Sequence, residues 1–141
     1  RTLPPVRSPH RPLHEHRVSI GRGRTLGAAE FGDPNGFPVL WFHGTPGGRL
    51  QVPPDGPASA AARGIRLFGV ERPGTGWSTP HRYGHVRDFA TDVRALADKL
   101  GFERFAVAGL SGGGPYTLAC AHDLPLASLL GCGMRCATQC R

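Results

Sequence analysis

The stretch FAVAGLSGGGPY, residues 105–116, decides the fold of this chain. Residues 105–108 form a short apolar run typical of a buried strand, and residues 115–121 suit a helix, so Ser111 lies at a strand-to-helix turn. A glycine stands two positions away on each side, where any side chain would collide with neighbouring backbone in so tight a turn. The turn directs the following backbone N–H groups toward negative charge that develops beside the hydroxyl. Ser111 is therefore the predicted nucleophile.

The segments around this turn alternate between predicted strands and helices. Strands are predicted over residues 17–21, 25–31, 37–42, 65–70 and 105–108, and helices over residues 57–63, 86–100 and from 115 onward. In the helix at 86–100, apolar residues recur every three or four positions along one face, and Gly101 is placed to end it. This alternation predicts an α/β fold with a mostly parallel central sheet and flanking helices.

Two glycine-rich loops follow predicted strands: HGTPGG at 43–48 and ERPGTGWSTP at 71–80. Together with GLSGG at 109–113, they resemble the α/β-hydrolase superfamily in both order and spacing. The resemblance covers roughly residues 16–122 and is strongest to the branch of proline iminopeptidases, small esterases and related serine hydrolases. It implies the N-terminal half of an α/β-hydrolase fold, with the C-terminal strands and the lid missing.

The resemblance also implies a role for each motif. Ser111 would be the nucleophile of acyl transfer on a small-molecule ester or amide, and the backbone N–H groups of Thr45 and Gly112 would form the oxyanion hole. The residues that shape these motifs without reacting would be His43, Gly44, Gly109 and Gly113. The loop at 71–80 would pack beside the site. Relatives that are dehalogenases or epoxide hydrolases carry aspartate at the nucleophile position, so serine argues against their reactions. The chemistry implied needs no metal and no organic cofactor.

The base that should activate Ser111 is not found in the sequence. In the family that the chain resembles, the acid and then the histidine follow further strands, whereas 30 residues follow Ser111 here. His122 lies about 16 Å from Ser111 along the predicted helix, beyond hydrogen-bond reach, and Asp123 is expected at a solvated helix end. No motif places the remaining candidates, His14, His16, His81 and His85. We therefore expect little turnover, and the alternative function is an inactive remnant or a non-catalytic binding module.

The segment LASLLGCGMRCATQCR, residues 126–141, departs from the family pattern. On a helix its Cys132, Cys136 and Cys140 would share one face, but no fourth ligand accompanies them and two glycines weaken the helix, so no metal site is predicted. The preferred explanation is a gene or reading frame interrupted near residue 125. The strand at 105–108 would then lack a neighbour, and its exposed sheet edge predicts self-association, aggregation or dependence on a partner.

Composition limits the remaining function classes. The net charge of +7 is concentrated in residues 1–24, which hold six arginines and a single acidic residue, and no basic stripe with aromatic residues follows, so nucleic-acid binding is not predicted. No apolar run approaches the roughly 20 residues that span a membrane, which predicts a cytoplasmic chain without membrane contact. The predicted organisation is a flexible Pro/Arg-rich tail at 1–15, a partial hydrolase domain at 16–125 and an atypical tail at 126–141.

Overall fold

A computed structural model of the 141-residue chain describes residues 10–125 and 128–135. In chain order the elements are β1 (His14–Gly21), β2 (Arg24–Gly32), β3 (Phe37–Phe42), α1 (Gly56–Ala62), β4 (Ile65–Val70), α2 (Phe89–Leu100), β5 (Phe105–Leu110), α3 (Gly114–Asp123) and β6 (Leu129–Arg135). Short 3₁₀ turns at Val86–Asp88 and Ser111–Gly113 precede α2 and α3. None of the helices within the described ranges has the length and hydrophobicity that crossing a lipid bilayer requires.

The strands form one mixed sheet in the order β1-β2-β4-β3-β5-β6. β3 pairs in parallel with β4 on one side and with β5 on the other, and β6 continues the parallel pairing beyond β5. β1 and β2 form an antiparallel hairpin, and β2 joins the sheet antiparallel to β4. The predicted α/β class with a mostly parallel central sheet is confirmed. The apolar run FPVLWF suits β3 because a central strand is covered on both faces.

Helices cover the two faces of the sheet unequally. On one face, α2 and α3 pack over a core that includes Phe42, Phe68 and Phe105. The predicted apolar stripe of α2 is buried in that core, and Gly101, at φ 78°, ends the helix in the left-handed conformation that glycine adopts without strain. On the other face, the short α1 packs over a smaller cluster that includes Trp41. Both faces therefore bury apolar side chains.

β6 corrects the expectation that the strand at 105–108 has a free edge. Residues 129–135 pair in parallel with β5, and the Phe105 N–H donates to the Ser128 carbonyl at 2.9 Å. The sequence did not predict β6 because its pairing with β5 depends on backbone hydrogen bonds and on small residues, which do not produce an apolar strand pattern. Gly131, for example, lies opposite Ala106, where even a Cβ would meet the Ala106 Cβ at an ordinary 3.5 Å. The sheet instead ends at β6, and self-association through a sheet edge stays a prediction.

The ends of the described chain also differ from the predicted divisions. β1 begins at His14, and the Leu13 N–H already donates to the Glu30 carbonyl at 2.7 Å, so the segment predicted as a tail joins the sheet before residue 16. The sequence did not predict the start of β1 because prolines, which are unfavourable within a strand, precede it. The alternation of exposed and half-buried residues that is typical of an edge strand begins only after them. Cys132 lies in β6 and not on a helix, and Cys136 and Cys140 lie outside the described residues.

A buried carboxylate links the three strands at the antiparallel side of the sheet. Glu30 of β2 is 1% exposed, and its oxygens accept hydrogen bonds from Arg66 Nε at 2.7 Å and from His16 Nε2 at 2.9 Å. Burial opposes ionisation of the Glu30 carboxyl, but the hydrogen bonds from Arg66 and His16 outweigh it and hold its pKa below the ordinary value of 4.5. The carboxylate is thus more stable in the folded chain than in the unfolded one.

We expect the ion pair at Glu30 to make the fold sensitive to acid. Because the folded-state pKa is lowered, the stabilisation is present above the ordinary pKa of 4.5 and is lost as the pH falls through the folded value. The variant Glu30→Gln should lose about 2 kcal/mol of unfolding free energy near pH 7 and should show a weaker loss of stability below about pH 4.5. Urea denaturation from about pH 7 to about pH 3 measures both slopes. Identical slopes for the two proteins would contradict this assignment.

Candidate active site

Ser111 lies at the surface between β5 and α3, as the sequence predicts. Its φ of 46° is in the left-handed region, which residues other than glycine rarely adopt. Such strain is held by the surrounding structure and is found mostly at functional turns. The side chain is exposed beyond the carboxyl end of β5, and among the described residues no side chain is hydrogen-bonded to its hydroxyl. The turn therefore presents a serine to solvent, and no described side chain is placed to accept its proton.

The two glycines that flank the turn leave no room for a side chain. A Cβ on Gly109 would lie 2.3 Å from Thr117 Oγ1 and 2.8 Å from the Gly113 carbonyl oxygen. A Cβ on Gly113 would lie 2.3 Å from the carbonyl oxygen of Phe42, the last residue of β3. The collisions expected from the sequence are present at both positions, and the turn is packed directly against the end of the central strand.

The loop at 43–48 lies beside the turn. A Cβ on Gly112 would be 3.3 Å from the backbone nitrogen of Thr45, so the two predicted oxyanion-hole residues are neighbours. The Gly44 N–H donates to Gln51 Oε1 at 2.7 Å and is therefore occupied. The Thr45 N–H, in contrast, has no acceptor in the part of the chain that the structure describes. The loop continues through a cis peptide bond between Thr45 and Pro46.

His43 is buried and occupied at both ring nitrogens. Nδ1 donates to the Gly44 carbonyl at 2.8 Å, and Nε2 accepts the backbone N–H of Arg72 at 3.3 Å. Burial, reinforced by the positive charge of Arg72, lowers the pKa of His43 below its ordinary value, so the ring is neutral. A histidine held in this way has no free nitrogen for the Ser111 proton, and its contacts join the loop at 43–48 to the loop at 71–80.

Arg72 connects the loop at 71–80 to the loop at 43–48. Its guanidinium donates to the carbonyl oxygens of His43 and Gly44 and to Thr45 Oγ1, the last two at 3.1 and 3.2 Å. It also lies over the Tyr116 ring, 4.8 Å from the ring centre. Burial lowers the pKa of Arg72 below its ordinary value, although a guanidinium remains charged at neutral pH. The sequence predicted that this loop packs beside the site, and the contacts identify Arg72 as the residue that makes the connection.

A second set of charged contacts holds the loop at 71–80 in place. The buried Glu71 carboxylate accepts a hydrogen bond from the backbone N–H of Trp77 at 2.9 Å and pairs with Arg49 at 3.2 Å. The Trp77 ring lies between two guanidinium groups, with Arg17 4.3 Å and Arg49 3.8 Å from the ring centre. These cation–π contacts connect the loop to β1 and to the chain after β3. The position of Arg72 is thus fixed from both ends of its own loop.

A cavity of about 380 Å³ opens next to the two loops. Its walls include Thr45, Arg72 and Tyr116, together with His81, a candidate that no sequence motif placed, and Tyr83, which the sequence did not single out. The rings of His81 and Tyr83 meet edge to face, 5.0 Å apart. A sequence signal for them existed, because residues that follow a parallel strand gather at the carboxyl edge of the sheet, and both belong to the connection after β4. The cavity offers a place for a ligand beside the predicted oxyanion hole.

The remaining candidates from the sequence do not form a second site. His122 is exposed on α3 and contacts Asp123, which is paired with Arg87 at 3.0 Å. The hydrogen bond from Arg87, followed by that from His122, lowers the pKa of Asp123. This is the solvated helix end that the sequence predicts. Over residues 10–125 and 128–135, no group of three His, Cys, Asp or Glu side chains could hold a metal ion.

Comparison with known proteins adds three findings. A family model described as the alpha/beta hydrolase fold matches residues 38–127. The chain is 32% identical to a proline iminopeptidase of Xanthomonas citri over 126 residues, which cover 87% of this chain and 39% of that protein. Among solved structures, a hypothetical protein of Pseudomonas aeruginosa PAO1 is 30% identical with a TM-score of 0.62, over 83% of this chain and 41% of that one.

A further solved structure, the epoxide hydrolase CorEH, is similar in fold. Its TM-score is 0.70 at 24% identity, over 82% of this chain and 39% of that chain. This likeness concerns the arrangement of strands and helices. The 141-residue chain spans about two fifths of the length of the relatives that it matches, and the shared part includes both glycine-rich loops and the turn at Ser111.

Proposed function

Because the chain belongs to the α/β-hydrolase fold family, we propose that it carries the nucleophile and the oxyanion hole of a serine hydrolase. The observation on which this proposal rests is the strained turn that exposes Ser111, with the unoccupied Thr45 N–H beside Gly112. The proposed substrate is a small-molecule amide or ester. The similarity to the proline iminopeptidase of Xanthomonas citri favours the amide, since a peptidase cleaves amide bonds.

In the proposed reaction, Ser111 Oγ attacks the carbonyl carbon of the substrate. A bond forms between Oγ and that carbon, and the electron pair of the carbonyl double bond moves to oxygen. The N–H groups of Thr45 and Gly112 would donate to this oxyanion, and one such donor stabilises the transition state by about 3 kcal/mol. The carbonyl double bond then re-forms as the bond to the amine or alcohol breaks, and the leaving group takes up the proton that Oγ has lost. Water next attacks the acyl-serine ester, which releases the acid and returns the proton to Ser111 Oγ. As proposed, this sequence requires no metal and no organic cofactor.

The step that lacks a residue is removal of the Ser111 proton. A serine hydroxyl is a weak nucleophile until a base accepts its proton, and no histidine of the described residues is hydrogen-bonded to Ser111. We therefore expect the 141-residue chain to react slowly and to turn over little. The same observation favours the second candidate, a non-catalytic remnant or binding module in which the cavity next to Thr45 holds a ligand without cleaving it.

A fluorophosphonate probe distinguishes the two candidates. Oγ of an activated serine forms a bond to phosphorus as fluoride leaves and the hydroxyl proton passes to solvent, and the adduct places a phosphoryl oxygen in the oxyanion hole. Because Ser111 lacks a base among the described residues, we expect slow labelling that stops at one phosphonyl group per chain, located at Ser111 by mass spectrometry of the peptides. Ser111→Ala should abolish labelling. Ser19→Ala, which removes an exposed hydroxyl on β1, should leave the labelling rate unchanged.

The labelling and turnover results distinguish the proposed hydrolase from the binding module. A folded chain that is not labelled at Ser111 would refute the proposed hydrolase and support the binding module. Labelling at Ser111 with negligible turnover of p-nitrophenyl acetate would agree with a nucleophile that lacks a base. Rapid turnover of that ester, abolished by Ser111→Ala, would support the hydrolase and refute the predicted inactivity of the 141-residue chain.

A further inference from the structure

Arg72 is a buried cation without an acidic partner in the described part of the chain. The residue is 8% exposed, and its guanidinium donates to the carbonyl oxygens of His43 and Gly44 and to the Thr45 hydroxyl. Within the described residues no carboxylate is paired with it. A buried charge held by neutral acceptors is costly, so it is retained mostly where its field serves a purpose. The groups to which Arg72 donates indicate where its charge acts.

One of these groups is the peptide bond between Gly44 and Thr45. The Gly44 carbonyl accepts two hydrogen bonds, from His43 Nδ1 at 2.8 Å and from Arg72 Nη2 at 3.1 Å. The N–H of the same peptide bond is the N–H of Thr45. Hydrogen bonds in a chain polarise one another, so donors on the carbonyl oxygen make the N–H a stronger donor. A charged donor has the larger effect.

The Thr45 N–H is also a donor without an acceptor among the described residues, and it lies next to the turn at Ser111. Its nitrogen is 3.3 Å from the position of a Cβ on Gly112, whereas the Gly44 N–H is occupied by Gln51. The guanidinium that polarises the peptide also fixes its orientation, because it holds the carbonyl oxygens of both His43 and Gly44. Charge and geometry therefore act on the same N–H group.

We propose that Arg72 is a positioning residue that strengthens the oxyanion hole through the Gly44–Thr45 peptide bond. Its positive charge increases the capacity of the Thr45 N–H to bind a negative oxygen near Ser111, and its fork of donors keeps that N–H directed to the site. This inference rests on the proposed function, because it assigns Thr45 to an oxyanion hole. It does not require that Arg72 touch the substrate.

The test combines two measurements on the full 141-residue chain. The first is the rate at which the fluorophosphonate probe labels Ser111, and the second is the Thr45 amide proton shift in a two-dimensional NMR spectrum. In Arg72→Gln we expect labelling about tenfold slower and a Thr45 amide proton that moves upfield. Arg72→Lys keeps the charge but not the fork, so we expect an intermediate rate. Arg104→Gln removes an exposed arginine just before β5, away from both loops, and should change neither quantity.

The outcomes separate this inference from the proposed function. A folded Arg72→Gln protein with unchanged labelling and an unchanged Thr45 shift would overturn the inference and leave the hydrolase intact. An unlabelled parent chain whose Thr45 shift responds to Arg72→Gln would refute the hydrolase while supporting polarisation of the peptide. If Arg72→Gln does not fold, Arg72→Lys decides, because one ammonium cannot replace the three contacts. A labelling rate and Thr45 shift equal to those of the parent would then overturn the inference.

Discussion

Gly113→Ala is expected to lower the free energy of unfolding by about 3 kcal/mol. The added Cβ would lie 2.3 Å from the carbonyl oxygen of Phe42 and 2.9 Å from that of His43. Both atoms belong to the backbone at the end of the central strand, so neither can rotate away, and the turn or the strand must shift. Because that shift moves Thr45 relative to Ser111, probe labelling should also slow. Urea denaturation followed by circular dichroism measures the loss of stability.

Gly48→Ala is the control for this prediction. Gly48 lies in the loop after β3, and a Cβ there would meet Glu71 Oε2 at 3.4 Å, an ordinary contact with a side chain. We expect its stability to remain within about 0.5 kcal/mol of the parent. A Gly113→Ala protein as stable as Gly48→Ala would contradict the close packing of the turn against β3, whereas a Gly113→Ala chain that does not fold in buffer would agree with it.

Asp92→Ala is the second change for which we expect a large effect, again about 3 kcal/mol of unfolding free energy. The Asp92 carboxylate on α2 accepts hydrogen bonds from Arg24 Nη1 at 2.9 Å and Nη2 at 2.6 Å, and from the Tyr83 hydroxyl. Burial, together with the hydrogen bond to Asp92, raises the pKa of Tyr83, so the phenol stays protonated and donates. Removing the carboxylate leaves a partly buried guanidinium and a phenol without their acceptor.

The same helix offers a matched control in Asp98→Ala. Asp98 pairs with Arg94 one turn earlier at 3.3 Å, but both side chains are largely exposed, so the loss should be below about 0.5 kcal/mol. Asp92→Asn keeps an acceptor and removes the charge, so its free energy of unfolding should lie between those of the two alanine variants. Equal stabilities for Asp92→Ala and Asp98→Ala would show that the contact between α2 and Arg24 contributes no more than a surface pair.

The sequence predicts most of the fold because its strands can be recognised from their apolar residues and from the loops that follow them. The run at Phe37–Phe42 is apolar and that at Ile65–Val70 is apolar except for Arg66, and each is followed by a glycine-rich loop that no regular element tolerates. The turn at Ser111 is equally marked, since glycine is required where a Cβ would meet backbone. β6 could not be recognised in the same way. Its glycines stand beside the small residues of β5, so it has no apolar alternation and its pairing depends on the backbone.

In the candidate site, too, the sequence predicts some features and not others. The motif glycines and Ser111 could be assigned from local sequence, because the constraint on each acts within a few residues. Arg72 and the Gly44 carbonyl are in contact although they lie 28 residues apart in the sequence. Spacing along the chain does not predict that residues so far apart meet in space. The position of His81 after β4 places it at the carboxyl edge of the sheet, but without a motif the sequence does not show that it reaches the cavity wall.

The position of Trp77 has a consequence for observing this protein. The chain has two tryptophans. Trp41 is buried under α1 with its indole N–H on the Gln51 carbonyl, while Trp77 lies between Arg17 and Arg49. A Trp41→Phe chain would therefore retain one native fluorophore, located in the loop that begins with Arg72. Because two guanidinium groups lie against its ring, we expect the emission of Trp77 to report whether that loop keeps this arrangement, without an attached dye or a bound substrate.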